Sequence, residues 1–427
     1  MRVALHTLGC KVNQYESQAM EEILLARGHT LVPFHQEADC YIINSCTVTA
    51  VSDKKSRQAV RQARKRAPES LVALCGCYPQ VSPEQAKELD VDLIGGSGDR
   101  MGFLDLLESL SGGGTTMALD EAFHRRAFEE LPPGGLEGRT RAMLKVQDGC
   151  TNFCAYCIIP YARGPVRSLP LDRAVAAARS LEEKGYRELV LTGIELCSYG
   201  RDLEGRPTPT DLIEAVCWAV PGMRVRLGSL EPRTVTEDFC RRLSALPNLC
   251  PHFHLSMQSG CDETLARMRR KYDTQRYFQS VTLLRQFFDQ PGITTDMIVG
   301  FPGETQEEFQ TTLEFIRRCA FSHMHIFPYS RRQGTPAASM PDQVPNVVKA
   351  QRTHEGAQVA EAMQRAWLTS WVGKTIPALF EEEKDGFWRG YTPQYAEVRV
   401  KGTDLHNTLR EVTITAAGGD GLYGTIV

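Results

Sequence analysis

Three cysteines in one short loop, Gly149-Cys150-Thr151-Asn152-Phe153-Cys154-Ala155-Tyr156-Cys157, stand at the spacing Cys-x3-Cys-x2-Cys. Thiolates this close can fold round one metal centre. An iron–sulfur cube takes a ligand on each iron, so three cysteines leave one iron open to something else. A structural zinc site would be closed by a fourth Cys or His at short spacing, and none stands in or beside the loop.

A second trio emerges from the elements that must position it. The first hundred residues alternate apolar strands, predicted at 2–8, 40–44 and 71–74, with helical runs at 15–27 and 51–67. That alternation predicts a parallel sheet with crossover helices. Each strand runs into a cysteine: Gly9-Cys10, Ser45-Cys46 and Gly76-Cys77. A parallel sheet gathers the carboxyl ends of its strands on one edge, where ligands bind, so Cys10, Cys46 and Cys77 can converge. Taken singly, a cysteine at a strand end is a small buried hydrophobe; three in succession point to a site. Cys40 begins its strand and Cys75 precedes the glycine turn, and both read as core residues.

Beyond the cysteine loop, strands predicted at 188–191, 224–227, 252–257, 294–299 and 323–327 again alternate with helical patterns. A parallel barrel or part-barrel follows, with functional groups expected at the strand carboxyl ends. Thr192 and Gly193, Ser229 and Glu231, Gln258, and the turn Gly300-Phe301-Pro302-Gly303-Glu304 stand there. From 370 onward, short alternating runs broken by glycine predict a small antiparallel barrel. The expected divisions are an amino-terminal α/β domain at 1–111, a glycine- and proline-rich linker at 112–139 with its boundary near Arg139, a central domain at 140–369 and the small barrel at 370–427.

With 427 residues, 42% of them hydrophobic and 24% charged, the chain reads as a globular protein of several domains. No stretch approaches the length of a membrane span, and the first residues lack the apolar core of a secretion signal, so a cytoplasmic protein is expected. Fourteen cysteines in such a chain point to metal or redox chemistry rather than to disulfides. A net charge of −3 gives no global case for nucleic acid. Locally, Lys54, Arg57, Arg61 and Arg64 fall on one helical face, either as a solvated face or as a stripe that contacts RNA phosphates. Residues 361–427 hold seven Lys and Arg against nine Asp and Glu, yet Arg389, Tyr391, Tyr395, Arg399 and Lys401 could form a stacking and phosphate face.

The cysteine loop, with an aromatic residue before its last cysteine, resembles that of the radical S-adenosylmethionine enzymes. The resemblance implies a 4Fe-4S cluster on Cys150, Cys154 and Cys157, with S-adenosylmethionine on the open iron and Tyr156 near its adenine. It narrows to the methylthiotransferases. Thr7-Leu8-Gly9-Cys10-Lys11-Val12-Asn13-Gln14-Tyr15-Glu16-Ser17, Asn44-Ser45-Cys46-Thr47-Val48 and Cys75-Gly76-Cys77-Tyr78 are similar to the three motifs of their amino-terminal domain, which implies a second 4Fe-4S cluster on Cys10, Cys46 and Cys77. The form Gly-Cys-Lys-Val-Asn resembles the branch acting on threonylcarbamoyladenosine in tRNA. Gly-Cys-Gln-Met-Asn is the form associated with isopentenyladenosine, and Gly-Cys-Pro-Lys-Asn with a ribosomal protein.

Later blocks, among them Gln258-Ser259-Gly260-Cys261-Asp262, Met268-Arg269-Arg270-Lys271-Tyr272, Asp296-Met297-Ile298-Val299-Gly300 and Phe327-Pro328-Tyr329-Ser330, are similar to the same enzymes. The resemblance implies that Thr192 and Gly193 meet the cofactor's amino group and that Ser229 and Glu231 lie near its ribose and methionine, with Gln258 a further cofactor-binding residue. It also implies a radical-SAM part-barrel and a TRAM-like RNA-binding barrel. A monomer is expected, acting on the tRNA anticodon stem-loop with a low-potential electron donor such as a flavodoxin. Ile194-Glu195-Leu196-Cys197 departs from the pattern, being more acidic than expected, as does Ser256-Met257. Outside this chemistry stand two rivals, an iron–sulfur redox sensor that binds RNA and a zinc-binding scaffold.

Overall fold

The computed structural model describes residues 1–110, 114–133 and 140–427. The expected boundary near Arg139, Gly112-Gly113 and Gly134-Gly135 lie outside them. The apolar strands β1 (Arg2–Thr7), β2 (Thr30–Leu31), β3 (Cys40–Ser45), β4 (Leu71–Gly76), β5 (Leu93–Gly95) and β6 (Thr116–Ala118) form one parallel sheet in the order β2-β1-β3-β4-β5-β6. Every residue of β3 is buried, as expected of a central strand covered on both faces. Cys40 and Cys75 are fully buried within this core. The strand β6 corrects the linker expected at 112–139: three of its residues complete the sheet.

The central domain consists of two four-stranded sheets that make a part-barrel. One has the order β10 (Arg224–Leu227), β9 (Glu188–Gly193), β7 (Arg141–Asp148), β8 (Arg167–Ser168); the other runs β11 (Ser229–Leu230), β12 (His252–Leu255), β13 (Gly292–Val299), β14 (His323–Pro328). All neighbours are parallel except β7 and β8. The sequence reading had no strand at 141–148, although β7 leads directly into the cysteine loop. Alternate residues of β12, β13 and β14 face the interior, so His254, Thr294 and His323 lie abreast, with Asp296 beside His325.

After the helix Asn346–Thr369, five strands close a barrel in the order β15 (Thr375–Lys384), β16 (Phe387–Tyr391), β17 (Glu397–Val400), β19 (Gly421–Ile426), β18 (Leu409–Gly418). It is antiparallel apart from the β17–β19 pair. This barrel docks on the central domain through Arg141, which pairs with Glu381 and donates to the Tyr395 hydroxyl at 3.1 Å. Arg226 donates to the carbonyls of Pro393 and Thr392.

The amino-terminal and central domains are joined by buried charge. Glu16, fully buried on the helix Lys11–Ala26, accepts from Arg100 at 2.9 Å, from Lys145 at 3.2 Å and from Arg163. Asp148 takes Lys145 at 3.4 Å and Arg167 at 3.4 Å. Three facing cations overcome the burial of the Glu16 carboxyl and hold it well below its ordinary value of 4.5. Its stabilisation is therefore complete above that value and is lost as pH falls below it. Glu16→Gln leaves the surrounding cations short of a counter-charge and is expected to cost about 3–5 kcal/mol. Chemical denaturation should show that loss at pH 7, with a smaller difference from the parent protein at pH 3.

Candidate functional site

Gly149 sets the turn that opens the cysteine loop. Its φ is +74°, and a Cβ there would lie 1.8 Å from the Pro165 carbonyl oxygen, so only glycine fits. Phe153 also takes a left-handed conformation, at φ 47°. The loop is pinned by Cys150 N–H donating to the Gly164 carbonyl, Ala155 N–H to Met268 and Ala337 N–H to the Ala155 carbonyl. Arg270 donates to the Cys154 sulfur at 3.1 Å. The three thiols lie close enough that a charge on one raises its neighbours. With burial as the larger cause, Cys150 and Cys157 are each pushed up to about 12.

The strand-end trio also converges. A Cβ on Gly9, at φ +109°, would lie 2.8 Å from Cys46 Cβ, which brings the chain at Cys10 against Cys46. Charges on Cys77 and Cys46 both raise Cys10. Cys10 caps the helix Lys11–Ala26 without a hydrogen bond from its own side chain, and the helix dipole favours negative charge there. Burial nonetheless carries its thiol up to about 11. Asn13 fixes the turn by donating to the Leu8 and Ser45 carbonyls, each at 2.9 Å. Arg163 donates to the Cys77 sulfur at 3.3 Å and to Asn13 Oδ1 at 2.8 Å.

Both trios fit an anionic metal cluster. Among the described residues no three Cys, His, Asp or Glu side chains are placed to hold a single metal ion, so the assignment rests on the thiols and the charges around them. Arg163, which donates to Cys77, belongs to a buried network in which Arg100, Lys145, Arg163 and Arg167 face Glu16 and Asp148, with Glu129 beside Arg100. A thiolate on Cys77 would add a further negative charge against Arg163. Arg163 and Arg270 thus do the same work, one at each trio. Arg270 falls in a block already similar to the family, Met268-Arg269-Arg270-Lys271-Tyr272, though without an assigned role; Arg163 carries no sequence signal, because a single arginine after a cysteine motif looks like any other.

A cavity of about 1620 Å³ opens beside the strand-end trio. Cys10 and Cys46 line one side; Thr192, Gly193 and Ser229 line the strand ends; Tyr391 and Tyr395 of the small barrel close another wall. Of the remaining cofactor candidates, Tyr156 lies in the field of Arg270 and Tyr272. Gln258 takes φ 68° and bridges to β13 through its backbone. Glu231 is bound by Arg233 through both oxygens, at 3.0 and 2.8 Å.

A residue passed over as a departure from pattern is better placed. Both oxygens of Glu195 are buried without a hydrogen-bond partner. Burial and then Glu231 raise its carboxyl to about 7, and its charge acts on Cys150. Such a carboxylate calls for a cationic group, and the methionine ammonium of S-adenosylmethionine is one.

The expected RNA faces look different in place. Arg64 is spent on Asp92 at 2.9 Å and on the Ser70 carbonyl, while Arg57 lies over Tyr78; Lys54 and Arg61 stay exposed. Arg389 pairs with Asp385, and Arg399 with Glu397 and Asp420. Tyr391 and Tyr395 stack on each other at 5.0 Å, and Arg141 and Arg226 lie over their rings. The two tyrosines belong to the cavity wall.

Residues 2–96 match the family described as uncharacterized protein family UPF0004, and residues 144–316 match the radical SAM superfamily. The threonylcarbamoyladenosine tRNA methylthiotransferase MtaB of Bacillus subtilis (strain 168) is 38% identical over 97% of this chain and 94% of its own. The tRNA-2-methylthio-N(6)-dimethylallyladenosine synthase of Desulfitobacterium hafniense (strain Y51) is 32% identical over 99% and 97%. Among solved structures, the radical S-adenosylmethionine methyltransferase TsrM from Kitasatospora setae aligns over 79% of this chain and 76% of its own, with a TM-score of 0.55 and 14% identity; this likeness concerns the fold.

The raised thiols give a direct check on the metal-free protein. A pKa near 12 leaves little thiolate at pH 8, so alkylation of Cys150 and Cys157 should run roughly a hundredfold to a thousandfold slower than that of an unperturbed cysteine. Peptide mass spectrometry over time, repeated at pH 10, should show both sites accelerating with pH.

Proposed function

Since the chain belongs to the radical S-adenosylmethionine tRNA methylthiotransferases, we propose that it replaces the C2 hydrogen of N6-threonylcarbamoyladenosine, next to the tRNA anticodon, with a methylthio group. The observation that carries this reading is that the chain holds two cysteine trios, each with an arginine donating to one sulfur, and that Cys10 and Cys46 of one trio open on a large cavity, in a chain 38% identical over nearly its full length to an enzyme named for that nucleoside.

Cys150, Cys154 and Cys157 would hold one 4Fe-4S cluster, and Cys10, Cys46 and Cys77 a second. When bound, the clusters and S-adenosylmethionine supply the electron, the radical and the methylated sulfur. The residues of this chain bind and orient. Glu195 holds the cationic end of the cofactor; Thr192, Gly193 and Ser229 offer polar groups on the cavity wall; Tyr156 and Gln258 frame it. Arg270 and Arg163 donate to a sulfur of each trio and so stabilise the negative charge gathered there. The base must leave its stack to reach the cavity, at small cost in a single-stranded anticodon loop. No helix among the described residues is long and apolar enough to cross a membrane. A cytoplasmic monomer drawing electrons from a low-potential donor such as a flavodoxin completes the proposal.

Nucleoside mass spectrometry tests the substrate. Reduced, anaerobically reconstituted protein with S-adenosylmethionine should add a methylthio mass to threonylcarbamoyl-modified tRNA and leave isopentenyl-modified tRNA unchanged. Gain on the isopentenyl nucleoside, or on neither while the cofactor is still cleaved, would overturn the assignment.

The two trios separate by mutation. Cys154→Ala should abolish both cofactor cleavage and product. Cys46→Ala should retain cleavage and lose sulfur insertion, a split readable by chromatography of 5′-deoxyadenosine beside the nucleoside analysis.

A further inference from the structure

A cation on the cavity wall stands without a counter-charge among the described residues. Lys11, the first residue of the helix Lys11–Ala26, lies on the cavity wall. The charges acting on its ammonium are those of Arg226 and Arg141, opposed by Glu188. Glu188 is already shared between Arg224 and Arg226, and Glu381 is taken by Arg141. Four cations thus face two carboxylates, and among the described residues Lys11 makes no ion pair.

A second, independent group points the same way. His252 lies on the same wall, 5% exposed and within the field of Lys11. Its Nε2 contacts Thr294 Oγ1 at 3.2 Å, while its Nδ1 is buried with no hydrogen-bond partner. His254 Nδ1 reaches the same threonine hydroxyl at 3.0 Å. An imidazole nitrogen buried without a partner is costly in a protein interior, and Lys11 beside it is exposed on the cavity wall, with no ion pair among the described residues. A small anion that accepts hydrogen bonds would satisfy both.

We propose that Lys11 and His252 form the receptor for the carboxylate on the amino-acid substituent of the target adenosine. This rests on the reading of the preceding subsection and adds the residues that select the substrate. A backbone phosphate offers the same charge. However, His252, the first residue of β12, is buried on the cavity wall, where a slender substituent on the base reaches more readily than the sugar–phosphate chain. An apolar isopentenyl group would leave the buried imidazole nitrogen unanswered, so the same pair discriminates between the two modified adenosines.

The test uses iron-loaded protein and three labelled anticodon stem-loops: one with threonylcarbamoyladenosine, one with its carboxylate capped as the methyl amide, and one with unmodified adenosine. Fluorescence anisotropy should show the parent protein favouring the acid over the amide by roughly tenfold. Lys11→Met should bind acid and amide equally, with affinity for the unmodified loop unchanged, and Lys11→Arg should restore much of the preference. Because Lys11 adjoins Cys10, the iron content and visible absorption of each variant are measured alongside. Should Lys11→Met fail to load, His252→Asn, far from every cluster cysteine in sequence, decides by losing most of the preference. Equal binding of acid and amide by the parent protein would overturn the proposal, as would a uniform weakening of all three loops in Lys11→Met, the mark of a phosphate contact. Parent protein that methylthiolates the acid loop yet binds acid and amide alike would sink this receptor alone. Absence of methylthio product from that loop would sink the substrate reading itself.

Discussion

Everything the site requires depends on one buried contact, the ion pair between Glu16 and Arg163. Glu16 lies one turn into the helix that Cys10 caps, and Arg163 ends the short helix Ile159–Arg163 just beyond the loop of Cys150, Cys154 and Cys157. The pair therefore fixes the amino-terminal sheet edge against the central barrel between the two trios. Arg163 also donates to Cys77 and to Asn13, so one guanidinium couples the domain interface, the turn after Cys10 and a ligand sulfur. Arginine suits this position because its planar fork serves several acceptors at once.

The contact is expensive in isolation. Burying so many charges costs more than it returns unless each is well partnered. Arg163 spends part of its fork on the Cys77 sulfur, so thiolates on the proposed second trio would add to its partners and tie the interface to the chemistry. Among the described residues, a cation without an ion pair stands on the cavity wall at Lys11 and, with the sign reversed, an unpartnered carboxylate at Glu195. The protein keeps its uncompensated charges where ligands are to come, and pairs the rest: Arg332 with Asp53, Arg352 with Glu304 and Arg224 with Glu188.

The sequence made the two trios legible for different reasons. Cys150, Cys154 and Cys157 sit within eight residues, so spacing alone brings them together. Cys10, Cys46 and Cys77 could be joined because a parallel sheet has one carboxyl edge, and the apolar runs before them were clear. What was hidden depends on contacts made at long range. Glu16 and Arg163 are 147 residues apart, and Arg141 meets Tyr395 across 254; neither separation leaves a periodic trace. The three residues of β6 are too few for alternation to show beside a glycine-rich flank, which is why that segment read as linker. Tyr391 and Tyr395 read as an RNA-stacking face because composition could not tell that arginines of another domain already occupy their rings. Glu195 was visible only as a misfit, and its meaning came from its burial.

The central claim is that both trios hold iron. Anomalous diffraction at the iron edge from anaerobically loaded crystals tests it most directly. The account predicts two iron peaks, one against Cys150, Cys154 and Cys157 and one against Cys10, Cys46 and Cys77, with Arg270 and Arg163 beside them. A single peak at the first trio in fully loaded protein, with the second trio bare, would contradict it.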